Sequence, residues 1–239
     1  PKQLPSRLAA IPQASVDIDN ALYQHDDSWH KTDTHEDLAT LHLLNSARVP
    51  YFDRTWRAQL GLTPQRPGVF LEVGCGGGVA TVALAKLGYH MTGVDPAARA
   101  LAAAREHARE CGVSERVSLL EGDAYDLSAL PSGTYDGVVM ADVLEHLLDL
   151  PAALREVGRV LRPGGVLVFD TINRTYRSYL CAIVLAQDVF HRVPPHCHDW
   201  RLFIKPEELS FVLQSHGFRT DSSLYRGMAP SVRKDPLHL

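Results

Sequence analysis

The sequence predicts a doubly wound α/β fold: a mostly parallel sheet with helices on both faces, preceded by an N-terminal helical cap. Three observations lead there. From Val69 onward, short apolar runs of strand length alternate with stretches of helical period. The first of these runs, Val69 to Val73, breaks into Gly74-Cys75-Gly76-Gly77-Gly78 and then into a helical pattern at Val79, Val82, Ala83 and Leu84. Finally, 239 residues suffice for one large domain with a small appendage.

The elements follow in order. Pro1 to about Ala14 is Pro-rich and reads as a loose arm. Val16 to Leu60 is helical in pattern, with Leu38, Leu41, Leu44, Arg48 and Phe52 on one face and Pro50 expected to kink or split it. Pro64 and Pro67 mark the boundary between this cap (residues 1–60) and the sheet domain (61–239). Strands are expected at Val69–Val73, His90–Val94, Val117–Glu121, Tyr135–Met140 and Val166–Thr171, with helices at Ala80–Leu87, Ala97–Cys111 and Ala152–Leu161. Pro163-Gly164-Gly165 reads as a turn between helix and strand. Beyond Thr171, Tyr176, Tyr179, Leu180, Ile183, Val184 and Phe190 form an apolar helical stripe that Pro194-Pro195 stops, within an insert at about 174–202. A helix at about Pro206–Ser215 and a strand at Phe218–Leu224 complete the pattern.

Composition narrows the function. Hydrophobic residues at 45% and charged residues at 22% fit a globular protein, and a net charge of -4 argues against broad nucleic-acid binding. Four cysteines without a CxxC pair give neither a disulfide framework nor a zinc knuckle, and reduced thiols fit the cytoplasm. No basic-then-apolar leader pattern opens the chain, and no apolar run reaches the roughly 18–20 residues that cross a bilayer.

The glycine loop carries the chemistry. A dinucleotide fingerprint needs Gly-x-Gly-x-x-Gly, and here Val79 stands at the third position. The glycines cluster instead as Gly76-Gly77-Gly78, and Glu72 leads the turn. Asp95 ends the second strand, where an acid binds ribose hydroxyls in either reading. The Glu72-x-Gly74-x-Gly76-Gly77-Gly78 turn resembles the cofactor loop of class I S-adenosylmethionine-dependent methyltransferases, a Rossmann-like fold. That cofactor has no pyrophosphate and carries a sulfonium and an ammonium, which a nearby acid favours. The resemblance implies that Asp123, in Glu121-Gly122-Asp123-Ala124, bonds the adenine amino group, although an Asx-turn role competes. Backbone groups of Ala124, and of Ala141 beside Asp142, border the crevice outside the strand ends.

Longer stretches are similar to the O-methyltransferase family of ubiquinone biosynthesis: Leu41-His42-Leu43-Leu44-Asn45-Ser46-Ala47-Arg48, Val143-Leu144-Glu145-His146, Asp170-Thr171-Ile172-Asn173-Arg174, His198-Asp199-Trp200 and Phe203-Ile204-Lys205-Pro206-Glu207-Glu208-Leu209. They run in order through most of the chain. The resemblance implies a small catechol or phenol as acceptor, with a quinone precursor as the type case; a secondary-metabolite acceptor, methylated on oxygen or nitrogen, is the alternative that the chain's departures from the family leave open. It also implies that Arg48 pairs with the cofactor carboxylate. Asp142, Glu145 and His146, at i, i+3 and i+4, match an acid-x-x-Glu-His triplet tied in that family to a divalent cation such as Mg²⁺ or Zn²⁺, with Asp where the bacterial enzyme has Glu. Without a metal, His146 is the leading base, with Glu145 and His198 beside it, and Asp199 is a candidate to orient the acceptor.

The insert reads as a wall over an apolar pocket. The resemblance adds peripheral contact with the inner face of the membrane through about 176–193. The chain departs from the family at Pro195-His196-Cys197, which replaces a glycine-containing turn, and after Gly227, where no final strand is evident. Two other classes stand as alternatives: a nicotinamide-dependent oxidoreductase, and a non-catalytic methyltransferase-like scaffold. Nothing in the sequence indicates an oligomeric state.

Overall fold

A computed structural model describes residues 7–24, 36–63, 68–190, 193–230 and 237–238. Five parallel strands form the sheet: β1 (Val69–Val73), β2 (His90–Asp95), β3 (Val117–Glu121), β4 (Tyr135–Met140) and β5 (Leu161–Phe169). Their spatial order is β3-β2-β1-β4-β5. The order reverses between β1 and β4, and a ligand crevice opens at the carboxyl ends of strands at such a reversal. β4 is buried along its whole length and β1 at four of its five residues, so neither shows the in–out alternation of a half-exposed strand, even though Glu72 and Asp136 lie within them.

Helices cover both faces. The cap helix α1 (Glu36–Leu60) and α2 (Val79–Lys86) enclose a core of Phe52, Trp56, Phe70, Leu84, Tyr89 and Met91. Opposite them, α4 (Leu150–Val160) and α6 (Pro206–Ser215) pack Leu154, Val157, Leu209 and Val212 against Leu71, Val138 and Met140. α3 (Ala98–Glu110) turns a row of buried alanines inward. α5 (Tyr176–Ser178) runs on into a π-helix at Tyr179–Val189.

Trp56 is the bolt between cap and sheet. Its side chain is fully buried, its ring lies 4.2 Å from that of Phe70, and its indole N–H donates to the Val166 carbonyl at 3.3 Å. Gly137 of β4 makes the room: a Cβ there would sit 2.7 Å from both Phe70 and the Trp56 nitrogen. Trp56 is therefore a packing residue.

Several expectations change. Pro50 neither splits nor ends α1; it is exposed, so the lost helix bond and the ring fall on the solvent side. Pro163-Gly164-Gly165 is not a turn before the fifth strand but part of β5, where the register shifts between Tyr135 and Gly137 and Gly164 takes φ +78°. The expected strand at Phe218–Leu224 is absent. Asp221 instead accepts the Ser223 N–H at 2.9 Å and starts a 3₁₀ turn at Ser222–Leu224, a local bond that competes with a ladder. Where no late strand was evident, Ala229–Pro230 pairs antiparallel with Leu237–His238. The largest change is the arm. Its described part, residues 7–14, is docked and not loose, and residues 16–19, expected to open the helical stretch, form no helix: Ile11, Val16 and Ile18 are buried together with Leu202, and α1 begins only at Glu36.

Replacing Trp56 by Ala should cost about 3–5 kcal/mol of stability, the range for emptying a large aromatic site. Gly137→Ala should cost about 1–3 kcal/mol by overpacking. Urea unfolding of both variants measures this; a cost near zero for Trp56→Ala would mean that α1 is not bolted to the sheet.

Candidate active site

The crevice is built from the ends of β1, β2 and β4. Gly74 follows β1 with φ +75°, and a Cβ on it would meet Val143 at 2.6 Å, so only glycine lets the loop pass the segment after β4. The Gly74 and Cys75 N–H groups both donate to the Val94 carbonyl, at 2.8 and 3.1 Å. Gly76, at φ +49°, donates its N–H to Asp95 Oδ2 at 2.8 Å, and Asp95 Oδ1 accepts the Ala97 N–H at 2.9 Å. Asp95 thus shapes the loop as well as facing the cavity. Cys75 is buried with its sulfur against Gly93.

Glu72 is buried beneath this loop and accepts a hydrogen bond from the Thr81 hydroxyl of α2. Burial pushes its pKa up to about 7, against the Thr81 bond and the charge of Arg48. Asp95 is raised by burial too, despite its two amide bonds. An acidic crevice that must spend energy to ionise is matched to a cationic ligand and mismatched to a pyrophosphate.

Arg48, on α1, is buried, and its Nη1 bonds Asp142 as well as Asp170, the latter at 3.2 Å. Its Nε donates to Asn45 Oδ1 at 2.8 Å, and Asn45 in turn donates to the Val79 carbonyl at 2.7 Å. Burial alone would lower the Arg48 pKa; Asp142 and Asp170 overcome that and hold it above the ordinary arginine value. Asp170 also accepts the Asp142 N–H on Oδ1 at 2.7 Å. It thereby pins Asp142 in the left-handed region, at φ +53°. Burial and the neighbouring Asp142 push the Asp170 pKa up, with Arg48 opposing.

Beyond Asp142 a 3₁₀ turn, Leu144–His146, carries the next two candidates. Glu145 is buried; one oxygen accepts from the Thr171 hydroxyl at 2.9 Å and the other has no hydrogen-bond partner among the described residues. Burial, with Asp142 and Asp170 nearby, drives its pKa up. His146 is half-buried and faces His198, with ring centroids 5.3 Å apart. Burial and then His198 push the His146 pKa down to about 3, and burial lowers His198, partly offset by Asp142. Both imidazoles are held neutral.

Arg48, Glu72, Gly74, Gly76, Asp95, Asp123, Ala124, Ala141, Asp142, Glu145, His146 and His198 all line one cavity of about 2040 Å³. That exceeds the roughly 300–1,000 Å³ of a single small-molecule pocket, because the cavity also runs along β5 past Arg162, Gly164 and Phe218. Asp123 is exposed, and its Oδ1 accepts the Tyr125 N–H at 2.8 Å, so it makes the Asx turn and faces the cavity as well. Asp199 does not join the group. It is buried against Arg201 and takes the Asp17 N–H at 2.6 Å, so its carboxylate is engaged with protein partners away from the cavity lining. His196 is turned to Asp17 at 2.8 Å.

The expected metal triplet does not gather. Among the described residues no three His, Cys, Asp or Glu groups converge as a metal ion requires. Asp142 is drawn to Arg48 and Glu145 to Thr171. Three supporting residues went unassigned in the sequence. Thr81 and Thr171 left no signal, since a buried hydroxyl facing a carboxylate is set by tertiary contact. Asp170 did leave one, as an acid at a strand end opening Asp170-Thr171-Ile172-Asn173-Arg174.

Residues 71–169 match the model of the methyltransferase domain. The chain is 38% identical over 189 residues to a ubiquinone biosynthesis O-methyltransferase of Methylocella silvestris, covering 72% of this chain and 70% of that one. It is 35% identical over 205 residues to the enzyme of that name in Hahella chejuensis, covering 85% and 82%. Among solved structures, the [4+2]-cyclase SpnF superposes with a TM-score of 0.51 at 27% identity, over 69% of this chain and 56% of that one. The last likeness shows that this scaffold also carries chemistry other than methyl transfer. The sequence relatives decide between them: the chain belongs to the ubiquinone biosynthesis O-methyltransferases, S-adenosylmethionine-dependent enzymes built on this sheet.

Proposed function

We propose that this chain methylates a phenolic hydroxyl of a catechol-type quinone precursor, with the histidine pair at the acceptor end of the cavity. The observation that carries this reading is the placement of His146 and His198. Two neutral imidazoles line the cavity that also runs past the Gly74–Gly76 loop. The relatives' names supply the acceptor class.

At the cofactor end, Glu72 and the acidic crevice meet the cationic methionine portion. Arg48 spends Nη1 and Nε on its protein partners, so Nη2 is the group directed to the cofactor carboxylate. Asp95 takes the ribose hydroxyls and Asp123, through Oδ2, the adenine amino group. The glycines and the backbone of Ala124 and Ala141 complete the wall.

Methyl transfer forms the acceptor O–C bond as the S–C bond breaks, and the sulfonium leaves as a neutral thioether. A phenol of ordinary pKa near 10 does not give its proton to an imidazole held near 3 beforehand. As the O–C bond forms, the oxygen loses electron density and becomes a strong acid. His146 then takes the proton, with His198 beside it as the route onward. Alignment within one cavity supplies much of the remaining rate. As placed, Asp142, Glu145 and His146 do not form a cation site, so no step is assigned to a divalent ion. Activity lost to EDTA and restored by Mg²⁺ would put an ion there and release Asp142 from Arg48.

The insert supports contact with lipid. Tyr176, Leu180, Val189 and Phe190 are exposed to between half and nearly nine-tenths, a cluster of apolar side chains facing outward beside the acceptor end. No described helix is long and apolar enough to cross a membrane. The contact is therefore peripheral, and it brings a polyprenylated acceptor to the cavity mouth.

Three outcomes are expected. His146→Asn should lower kcat by about 10²–10⁴-fold on a catechol acceptor, with cofactor affinity by titration calorimetry unchanged; full turnover would remove the base. In the cofactor-free fold, Glu72 holds its proton up to about pH 7, above its ordinary carboxyl value. A bound cation favours the ionised form, so cofactor binding near pH 6–7 should release a fraction of a proton, and affinity should rise from about pH 5 to about pH 7. Calorimetry in buffers of different ionisation enthalpy reads this, and Glu72→Gln should abolish it. Vesicle flotation should recover the wild-type chain but not the Leu180→Ser/Phe190→Ser variant; equal recovery would confine the insert to walling the pocket.

A further inference from the structure

The N-terminal arm holds the turn that carries the proposed base. Three hydrogen bonds from the arm reach alternate carbonyls of the segment after β4. Arg7 Nη2 donates to Leu144 O at 2.8 Å, Asn20 Nδ2 to His146 O at 3.0 Å, and the Ile11 N–H to Leu148 O at 2.8 Å. The same arm then grips the segment that carries His198. The Asp19 N–H donates to His196 O at 2.9 Å, the Asp17 N–H to Asp199 Oδ2 at 2.6 Å, and Arg201 bonds the Ser15 carbonyl. The two histidines come from chain segments some fifty residues apart, and both segments are fastened to one strip of fourteen residues between Arg7 and Asn20.

Packing alone does not account for Arg7. Its side chain is 3% exposed, and Nε and Nη1 have no hydrogen-bond partner among the described residues. Burial of an incompletely paired guanidinium is costly, and an apolar residue there would stabilise the fold at least as well. What an apolar residue would not supply is the bond to Leu144 O, at the start of the catalytic turn. Ile11, Val16 and Ile18 anchor the arm by burial against Leu202, so the polar contacts add direction to a docking that is already stable.

We propose that Arg7 and Asn20 are positioning residues, which set His146 against His198 by holding the Leu144–His146 turn from beneath. Arg7 does not line the cavity and acts through the turn, while Asn20 borders the cavity and grips the turn at His146 O. This inference rests on the reading of His146 as the base.

The test uses the full chain and a double-mutant cycle. Arg7→Met and Asn20→Ala should each lower kcat about 10- to 100-fold, the cost of a misplacement of about 1 Å, with cofactor Kd unchanged in both and acceptor KM unchanged in Arg7→Met, whose side chain does not line the cavity. Arg7→Lys should restore part of the loss, because an ammonium can still donate to Leu144 O. In a His146→Asn background, neither variant should slow the enzyme further. Asn20 is exposed, so its variant stays folded even where Arg7→Met does not, and thermal unfolding checks both. Additive losses in the His146→Asn background, or wild-type kcat in the Asn20→Ala and Arg7→Met single variants, would overturn the positioning role while leaving the base intact. A fully active His146→Asn would instead overturn the base and this inference's route together.

Discussion

The contact on which the site depends is the ion cluster of Arg48, Asp142 and Asp170. It joins three separate elements: the cap helix, the segment after β4 and the end of β5. Each partner needs the others. Arg48 is buried and would be costly without its two acids, and Asp170 is pushed towards its neutral form wherever Arg48 does not hold it charged. Asp142 keeps a left-handed backbone because Asp170 receives its N–H. From Asp142 the chain enters the turn of Glu145 and His146 in a fixed direction. The Gly74–Gly76 side of the cavity and the turn that carries His146 thus share one electrostatic hinge.

Much of this was legible in the sequence, and the failures have identifiable causes. Strands β1, β3 and β4 were readable to the residue, because each is a short segment rich in β-branched and large apolar residues set off by turn residues; β1 and β4 are central and buried, and β3 is the edge strand and largely exposed. The start of β5 was not, because Pro163-Gly164-Gly165 has the composition of a turn and only its pairing with β4 reveals a strand. Phe218–Leu224 has strand composition, but Asp221 redirects it locally. The first residues looked loose, and Val16 and Ile18 looked like the start of a helix, because the burial of Ile11, Val16 and Ile18 depends on Leu202, nearly two hundred residues away.

The site divides in the same way. Spacing alone placed Glu72, Gly74, Gly76 and Asp95 on a strand–loop–strand frame, and family resemblance supplied Arg48, Asp123 and the acid-x-x-Glu-His triplet. All of them face one cavity. Spacing could not show that Asp142 turns away from the triplet towards Arg48, nor that Asp199 spends its carboxylate on Arg201 and the arm. Both outcomes depend on which opposite charge lies nearest in space.

The left-handed backbone at Asp142 bears on how this position can vary. Short polar side chains accept that conformation, while longer ones gain nothing from it. Aspartate combines tolerance of the bend with a carboxylate that reaches Arg48 across a short gap. Glutamate keeps the charge but adds a methylene to a contact that is already closed, and asparagine keeps the bend but gives up the charge. Residue 142 thus answers to a backbone demand and an electrostatic demand at once. A substitution ranked as mild by charge, or as mild by size, is therefore mild by neither.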